Sequence, residues 1–212
     1  MYRHVGAEPS EARSLAIGNH AARLRHNARV GPDALRAVHE RLAALIPEHL
    51  RDFAERVGYQ PGDNHVALAE AADGLSDELG SRLPGEVVAF FRYFDRIHLP
   101  DFWNGYFIGP ASWVVEVHRA EAPRWVRIGS TRAEVAIVGS DGGGTSFAVP
   151  LVSVTPVLRL PPSGIEDGTW QPWPGQDLDS IAIATDFDDF VLRFVDGIER
   201  LVRHDEPGPF DG

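Results

Sequence analysis

The pattern of apolar residues changes near residue 95, and this change constrains the fold most. Before it, apolar side chains recur every three to four residues, as in amphipathic helices. After it, short runs rich in β-branched and aromatic residues alternate with Gly, Pro and charged residues, as in strands joined by turns. One more helical pattern follows residue 185. Helices, then strands, then a helix predict an α+β protein.

The first sixty residues divide into two parts. Residues 1–31 mix Arg, His, Ala and Gly without sustained periodicity, and we expect a mobile or loosely helical arm. Residues 32–60 carry an apolar stripe, which predicts a helical extension. Pro47 interrupts the stripe. Because a proline inside a helix loses a backbone hydrogen bond and clashes with the preceding turn, we expect two short helices that meet near Ile46.

Residues 61–203 form the predicted main domain, which begins with two helical patterns. The apolar spacing of residues 65–79 predicts a helix that stops at Gly80, since glycine commonly ends helices. A second helix is predicted for residues 84–94. Proline favours the first position of a helix, so Pro84 is its expected start.

The last helix has a clear predicted start. Thr185 is the expected N-cap, with Asp188 three residues later, and Phe187 and Phe190 begin an apolar stripe that continues to residue 201. Beyond the helix, we expect residues 204–212 to be a loose tail.

Six runs of β-branched, aromatic and aliphatic residues predict strands. They are residues 113–117, 125–128, 135–138, 146–151, 157–160 and 181–184. A loop at residues 161–176 is rich in Pro and Gly and holds Trp170 and Trp173, which are candidates for surface aromatics.

Composition excludes several kinds of chemistry. The chain has no cysteine, and all 20 of its basic Lys or Arg positions are Arg. This removes disulfides, cysteine zinc sites, thiol nucleophiles, Schiff-base lysines and the lysine of a phosphate loop. No window approaches the roughly 18 apolar residues of a membrane span. Residues 1–30 lack the compact apolar core of a secretory signal, and we therefore expect a cytoplasmic location.

Negative charge is concentrated late in the sequence. The formal net charge is −11. Residues 163–212 hold three Arg against twelve acidic residues, so nine of the eleven surplus negative charges lie there. Such a block repels nucleic acid and attracts a basic protein. The alternative is a solvated acidic face that aids solubility.

A glycine-rich run lies between two strand patterns: Asp141, Gly142, Gly143 and Gly144. It is similar at first sight to a phosphate loop. However, phosphate and dinucleotide loops lead into a helix, and Thr145 instead opens a strand pattern. We therefore expect a hairpin turn in which glycine supplies positive φ angles, with a ligand loop as the lesser alternative.

Other catalytic and metal motifs are absent from the sequence. His39 and His49 lie ten residues apart, which does not fit the HExxH zinc motif, and no GxSxG motif occurs. Three acidic residues near the last helix are explained by capping and by the helix dipole: Asp186, Asp188 and Asp189. We predict no catalytic residue, no metal and no cofactor.

Two segments combine aromatic and acidic residues, as protein interfaces do. The first holds Asp101, Trp103 and Tyr106. The second holds Glu166, Asp167, Trp170, Trp173, Asp177 and Asp179. These are the predicted partner-binding residues. The alternative is that the aromatic rings fill the core.

Four segments in order together resemble the SUKH superfamily. They are LPGEVVAFF with YFD at residues 83–95, FWNGYFIG at 102–109, the hairpin IVGSDGGG with FAV at 137–149, and IATDFDDFVL at 183–192. The residues that match its motifs are Leu83, Pro84, Asp95, Gly105, Asp141, Gly142, Gly143, Gly144, Thr185, Phe187 and Phe190. The resemblance covers roughly residues 65–203. Arg96 stands where the family usually has Gly, which leaves open whether the local turn is the same.

The resemblance implies a bent, mainly antiparallel sheet with packed helices. It also implies a bacterial immunity protein that binds and neutralises a toxin, often a nuclease, or an interaction module tied to cell-wall regulation. No enzymatic activity is characteristic of the family.

Three hypotheses follow, and each has a different partner or chemistry. The leading one is a non-enzymatic immunity protein whose partner is a basic toxin, with no nucleic acid or membrane bound. The second is a regulatory or scaffold module with a non-toxin partner, for which the amino-terminal helices are a further contact or a dimerisation element. The third is an enzyme without a recognisable motif.

Overall fold

The computed structural model describes residues 31–70, 75, 77–120, 123–128, 131–151, 156–173 and 181–210. Within them the chain forms helices packed on one mixed, mostly antiparallel sheet, so the α+β prediction is confirmed. The helices are α1 (Pro32–Leu50), α2 (Phe53–Val57), α3 (Asp77–Gly80), α4 (Gly85–Tyr93), α5 (Ala111–Arg119) and α6 (Phe187–His204). The predicted arm, residues 1–31, lies almost wholly outside the described residues.

In the described residues the sheet has ten strands. They are β1 (His65–Leu68), β2 (Phe94–Leu99), β3 (Tyr106–Ile108), β4 (Trp125–Ile128), β5 (Thr131–Asp141), β6 (Ser146–Pro150), β7 (Val157–Leu160), β8 (Ile165–Glu166), β9 (Thr169–Trp170) and β10 (Ala182–Ala184). The main path runs β1-β2-β3-β5-β4-β9-β8, with β6 between β5 and β7, and β10 on β7. Strands β4 and β9 are parallel, and the other pairs are antiparallel.

The long strand β5 joins the two parts of the sheet. Its residues 131–134 pair with β4 and its residues 139–141 pair with β3. Strand β6 pairs with residues 135–140 along the opposite edge, with a register shift between Ile137 and Gly139. A side chain at Gly139 would lie 2.5 Å from the carbonyl oxygen of Phe107, so β3 approaches β5 where glycine makes room.

Two groups of buried side chains hold these elements together. The main core collects α1, α4, α6 and one side of the sheet, and its largest fully buried rings are Phe90, Phe94, Phe102, Phe147, Phe187, Phe190, Phe194 and Tyr106. A second core lies on β4, β5 and β7 and includes Trp170. Trp113 of α5 packs against both. Each fully buried large apolar side chain contributes about 1.5–3 kcal/mol relative to exposure.

Helix α1 corrects two expectations. It is a single helix that continues through Pro47, not two helices meeting near Ile46. The buried residues of the helix all precede Pro47, which is itself exposed in the last turn, so the proline costs the helix little packing. Leu35, Val38 and Leu42 lie in the main core, so residues 32–50 are part of the domain and not an extension.

Two further assignments are wrong. The predicted helix at residues 65–79 is strand β1 followed, in the described residues, by the short helix α3, because pairing with β2 overrides the alanine-rich spacing. The predicted strand at residues 113–117 is helix α5. Its buried residues Ala111, Val114 and Val115 have helical spacing, which a short apolar run does not distinguish from a strand.

Other assignments are confirmed. Helix α4 fills the predicted 84–94 segment, with Pro84 at its N-cap position, and strands β4 and β7 match residues 125–128 and 157–160. The chain enters β2 directly after α4, so Arg96 lies in a strand and not in a turn.

The last helix and the tail differ from prediction in detail. Asp186 is the N-cap of α6, one residue after Thr185, and its side chain accepts a hydrogen bond from the backbone N–H of Asp189. The Asp189 carboxylate in return accepts from the Thr185 N–H at 3.0 Å, as in a capping box. The tail is not loose throughout, because Gly208 and Pro209 are buried. None of the helices in the described residues is long and apolar enough to cross a membrane.

Candidate functional site

The four predicted aromatic contacts separate into two buried and two exposed side chains. Tyr106 and Trp170 are only 1% and 4% exposed, so neither ring is available to a partner. Trp103 and Trp173 are 51% and 57% exposed. Tyr106 packs on Phe194, whereas the Nε1–H of Trp170 donates to the carbonyl of Pro161 from inside the second core. Of these four side chains, Trp103 and Trp173 are therefore the two that are exposed enough to contact a partner.

The glycine run forms the predicted hairpin turn between β5 and β6. One oxygen of the buried Asp141 carboxylate accepts from the N–H groups of Gly143 and Thr145 at 2.9 and 2.8 Å. Gly144 has a φ of +86°, which glycine adopts without strain.

All the backbone N–H groups of this turn have internal partners. Gly142 donates to the carbonyl of Gly105 at 3.1 Å, and Gly144 donates to the carbonyl of Asp141 at 3.3 Å. Gly143 and Thr145 donate to the Asp141 side chain. A phosphate loop needs N–H groups that point at the ligand. The turn therefore has a structural role, and its N–H groups are not available to bind an anion.

The turn instead touches the two loops that carry the exposed tryptophans. A side chain at Gly142 would overlap with the carbonyl oxygen of Asn104, next to Trp103. On the other side, a side chain at Gly144 would lie 3.2 Å from Cγ of Pro162. Pro162 accepts a hydrogen bond from Trp173. These exposed residues form one continuous surface, which we call the tryptophan face: Trp103, Asn104, Gly142, Gly143, Gly144, Pro162 and Trp173.

Trp103 is held by its backbone and by packing. Its φ is +56°, an uncommon left-handed conformation for a bulky residue that costs on the order of 1–3 kcal/mol. A Cβ on Gly208 would lie 2.8 Å from Cγ of Trp103, so the indole lies directly over the Gly208 backbone. The preceding residue, Phe102, is fully buried. An exposed ring in a costly conformation favours a functional role over a folding role.

A hydrogen bond at the base of a small hairpin helps to hold Trp173 in place. Its Nε1–H donates to the Pro162 carbonyl at 2.7 Å. The N–H of Gln171 donates to the Gly164 carbonyl at 2.9 Å, and the Ser163 hydroxyl donates to the Gln171 carbonyl. These bonds close the base of the β8–β9 hairpin. The ring position is therefore fixed before any partner arrives.

The acidic residues predicted at the site differ in their surroundings. An oxygen of Asp101 accepts from the Gly62 N–H at 2.7 Å, and the same oxygen accepts from Asn64, so this carboxylate organises a loop. Glu166 and Asp167 are exposed at the tip of the β8–β9 hairpin. Asp177 and Asp179 lie outside the described residues.

Part of the late acidic block is paired with arginine within the fold. Arg41 of α1 pairs with Asp196 at 2.8 Å and with Glu199, both on α6. The hydrogen bond from Arg41 is the main cause that lowers the pKa of Glu199. Two acidic residues of α6 thus form ion pairs with α1. Among the acidic residues predicted at the site, Glu166 and Asp167 are exposed in the described part of the chain.

A second polar cluster, which the sequence did not indicate, surrounds Glu134 on β5. Arg82 and Arg124 both pair with its carboxylate, the latter at 2.9 Å, and His118 Nε2 lies 3.5 Å away. The hydrogen bond from Arg82 is the main cause that lowers the pKa of Glu134, while burial, followed by Arg124, lowers the pKa of His118. A carboxylate held ionised by two arginines is a poor general base at neutral pH. This cluster fits a structural role that joins α5 to the sheet.

No group of three or more potential ligands that could hold a metal occurs in the described part of the chain. Comparison with protein-family models, with curated proteins and with solved structures finds no match for this sequence. The tryptophan face therefore carries the functional interpretation by its geometry alone.

Proposed function

We propose that this chain is a non-enzymatic protein-binding domain that engages its partner through the tryptophan face. One observation carries the proposal: two exposed tryptophans, each fixed in position, flank a turn whose three glycines have no side chains. Tryptophan is enriched among the residues that dominate binding energy, and a fixed ring loses little entropy on binding. The bare turn lets a partner backbone approach between the two rings.

We further propose that the partner is a basic protein, and that it is a toxin which the chain neutralises in the cytoplasm. The net charge of −11 and the exposed Glu166 and Asp167 support a basic partner. The resemblance to the SUKH superfamily supports a toxin. Immunity proteins need no catalytic group.

The regulatory-module alternative loses one of its motivations. The apolar stripe of α1 is buried against the rest of the domain, with Leu42 fully inaccessible. It is therefore not free to act as a dimerisation element. Removing residues 1–60 would expose the main core, so such a truncation does not test binding.

The proposal is tested by capture and by toxicity. The tagged full chain is incubated with native lysate at low and moderate salt, and retained proteins are identified by mass spectrometry. We expect a stoichiometric basic protein that is released by salt, is toxic when expressed alone and is tolerated when the chain is co-expressed. Retention of only neutral or acidic regulatory enzymes would contradict the toxin part.

Point variants then test the surface. Trp103→Ala and Trp173→Ala should each weaken the purified complex by about 30-fold or more, which corresponds to about 2 kcal/mol for a hot-spot residue. Tyr59→Ala is the matched control, since Tyr59 is also an exposed aromatic residue but lies outside the tryptophan face. Equal affinities for all three variants would place the interface elsewhere.

A further inference from the structure

A Gly-Pro-Phe segment (Gly208, Pro209 and Phe210) lies in a groove of the domain. Phe210 stacks on Phe190 of α6, with ring centroids 5.3 Å apart and planes inclined by 8°. It also meets Phe147 of β6 edge-on at 5.8 Å. The groove therefore has an aromatic pocket for one ring.

The rest of the segment fits two places that exclude larger residues. A Cβ on Gly197 of α6 would lie 2.7 Å from Cα of Pro209, so the proline sits directly on the helix backbone. A Cβ on Gly208 would overlap with the Tyr106 hydroxyl. The groove thus fits glycine at the first position and a flat proline ring at the second.

The groove binds the segment by its backbone carbonyls. The Tyr106 hydroxyl of β3 donates to the Pro209 carbonyl at 3.4 Å. The guanidinium of Arg159 on β7 donates to the Phe210 carbonyl at 2.8 Å. Side chains from two separate strands therefore hold the backbone of a turn at Pro209 and Phe210, in which Phe210 has a φ of +71°.

The segment is attached loosely to the element before it. Asp205 ends α6 with a φ of +54°, and residues 205–207 are exposed. The segment belongs to no strand of the sheet. Its release would break no strand pairing, but it would uncover the rings of Phe147 and Phe190.

We propose that this groove is a binding site for peptides in which Gly-Pro is followed by an aromatic residue in a turn, and that the chain's own Gly-Pro-Phe segment occupies it until a partner peptide displaces it. The inference stands apart from the tryptophan face, except that Gly208 supports the Trp103 ring.

The test uses the full chain and a fluorescein-labelled peptide, EPGPFDG, which has the sequence of residues 206–212. Two variants empty the groove without changing its walls: Phe210→Ala removes the anchoring ring, and Gly208→Ala creates the overlap with Tyr106. Because an internal occupant reduces the fraction of binding-competent protein, both variants should bind the peptide at least tenfold more tightly than the wild type by fluorescence anisotropy.

Two controls define specificity. The same peptide with alanine in place of its phenylalanine should lose at least tenfold in affinity. The Gly197→Ala chain should bind neither its own segment nor the added peptide, although alanine favours a helix more than glycine does.

Folding of each variant is checked by circular dichroism and by a cooperative thermal transition. Folded Phe210→Ala and Gly208→Ala chains that do not bind the peptide would overturn the proposal. Loss of cooperative folding in both would also overturn it, because the segment would then be an indispensable part of the core.

Discussion

The two tryptophans of the tryptophan face are held by different means. Trp103 is fixed by its backbone: the chain around it returns to the main core through Phe102, and the indole rests on Gly208. Trp173 is held through its side chain, which donates a hydrogen bond to Pro162 beside the smaller core. The glycine turn supports both. The position of Trp103 should therefore be sensitive to substitutions that change the backbone or the core. The position of Trp173 should be sensitive to loss of its hydrogen bond to Pro162.

The largest effect should come from removing the common support. In Gly142→Ala the new Cβ overlaps with the backbone carbonyl of Asn104. A backbone atom cannot move aside by changing a side-chain rotamer, so the loop at Asn104 must shift. We expect a loss of about 2–4 kcal/mol in the free energy of unfolding, measured in urea. Gly143→Ala is the matched control, because its Cβ would lie 3.3 Å from the Asp141 side chain; it should cost less than about 1 kcal/mol. Equal losses would disprove the close approach at Gly142.

The next effect concerns the carboxylate inside the turn. Asp141→Ala leaves the N–H groups of Gly143 and Thr145 without their acceptor, and Thr145 is buried. The expected loss is about 1–3 kcal/mol by urea unfolding. Asp141→Asn keeps an acceptor oxygen and should lose less. Equal losses for the two substitutions would show that an acceptor oxygen at this position does not stabilise the turn.

A more selective change separates the two tryptophans. Trp173→Phe keeps an aromatic ring but removes its hydrogen bond to the Pro162 carbonyl, so the ring loses one of the contacts that hold it; we expect about threefold to tenfold weaker partner binding. Trp103→Phe keeps the backbone that aims the ring and should lose less. Calorimetric titration of the captured partner measures both. The reverse order would show that backbone conformation is not what fixes Trp103.

Acidification should act through two partly buried histidines. His49 stacks on Phe102 with its Nε2 3.0 Å from the carbonyl of Asp101, and burial is the main cause that lowers its pKa. His118 beside Glu134 is shifted in the same direction. Below about pH 6.5 these histidines become protonated in the unfolded chain but stay neutral in the folded chain, because their pKa values are lowered there. The free energy of unfolding should therefore decrease as the pH falls, until the pH is below the lowered pKa values. His49→Gln and His118→Gln should each flatten this slope in urea titrations between pH 7 and 5; an unchanged slope would contradict the burial argument.

The smallest effect should be electrostatic. Glu166→Gln with Asp167→Asn removes two exposed charges from the hairpin tip, and should slow association about twofold to threefold while weakening its salt dependence. Glu40→Gln with Glu78→Gln removes the same charge from exposed helix positions. Stopped-flow association at several salt concentrations compares the pairs. Equal slowing would assign the effect to net charge rather than to the hairpin.

The local sequence was sufficient to predict the structure where the residues allow few alternative conformations. The hairpin turn was predictable because three consecutive glycines and a preceding Asp admit few alternatives. Helix α4 was predictable because Pro84 marks its start and its buried phenylalanines follow a helical period. The start of α6 was misplaced by one residue, since Thr185, Asp186 and Asp189 all take part in its cap.

Elsewhere, distant contacts decided the outcome. Trp170 and Trp173 have similar neighbours in the sequence, yet Trp170 is buried because β9 pairs with β4, and this parallel pairing has no local signature. The segment at residues 113–117 fits both a helix and a strand until it packs on β5. The burial of the Gly-Pro-Phe segment depends on the bare helix surface at Gly197, eleven residues earlier.

The bare glycine turn also affects how such a domain can acquire new partners. The turn is in close contact with both neighbouring loops, so substitutions at Gly142 disturb the fold before they change recognition. The exposed side chains at 103, 104, 162 and 173 surround it without this constraint. Libraries that vary those four positions and keep the glycines should yield folded variants with altered specificity, and natural divergence of partner choice would follow the same route.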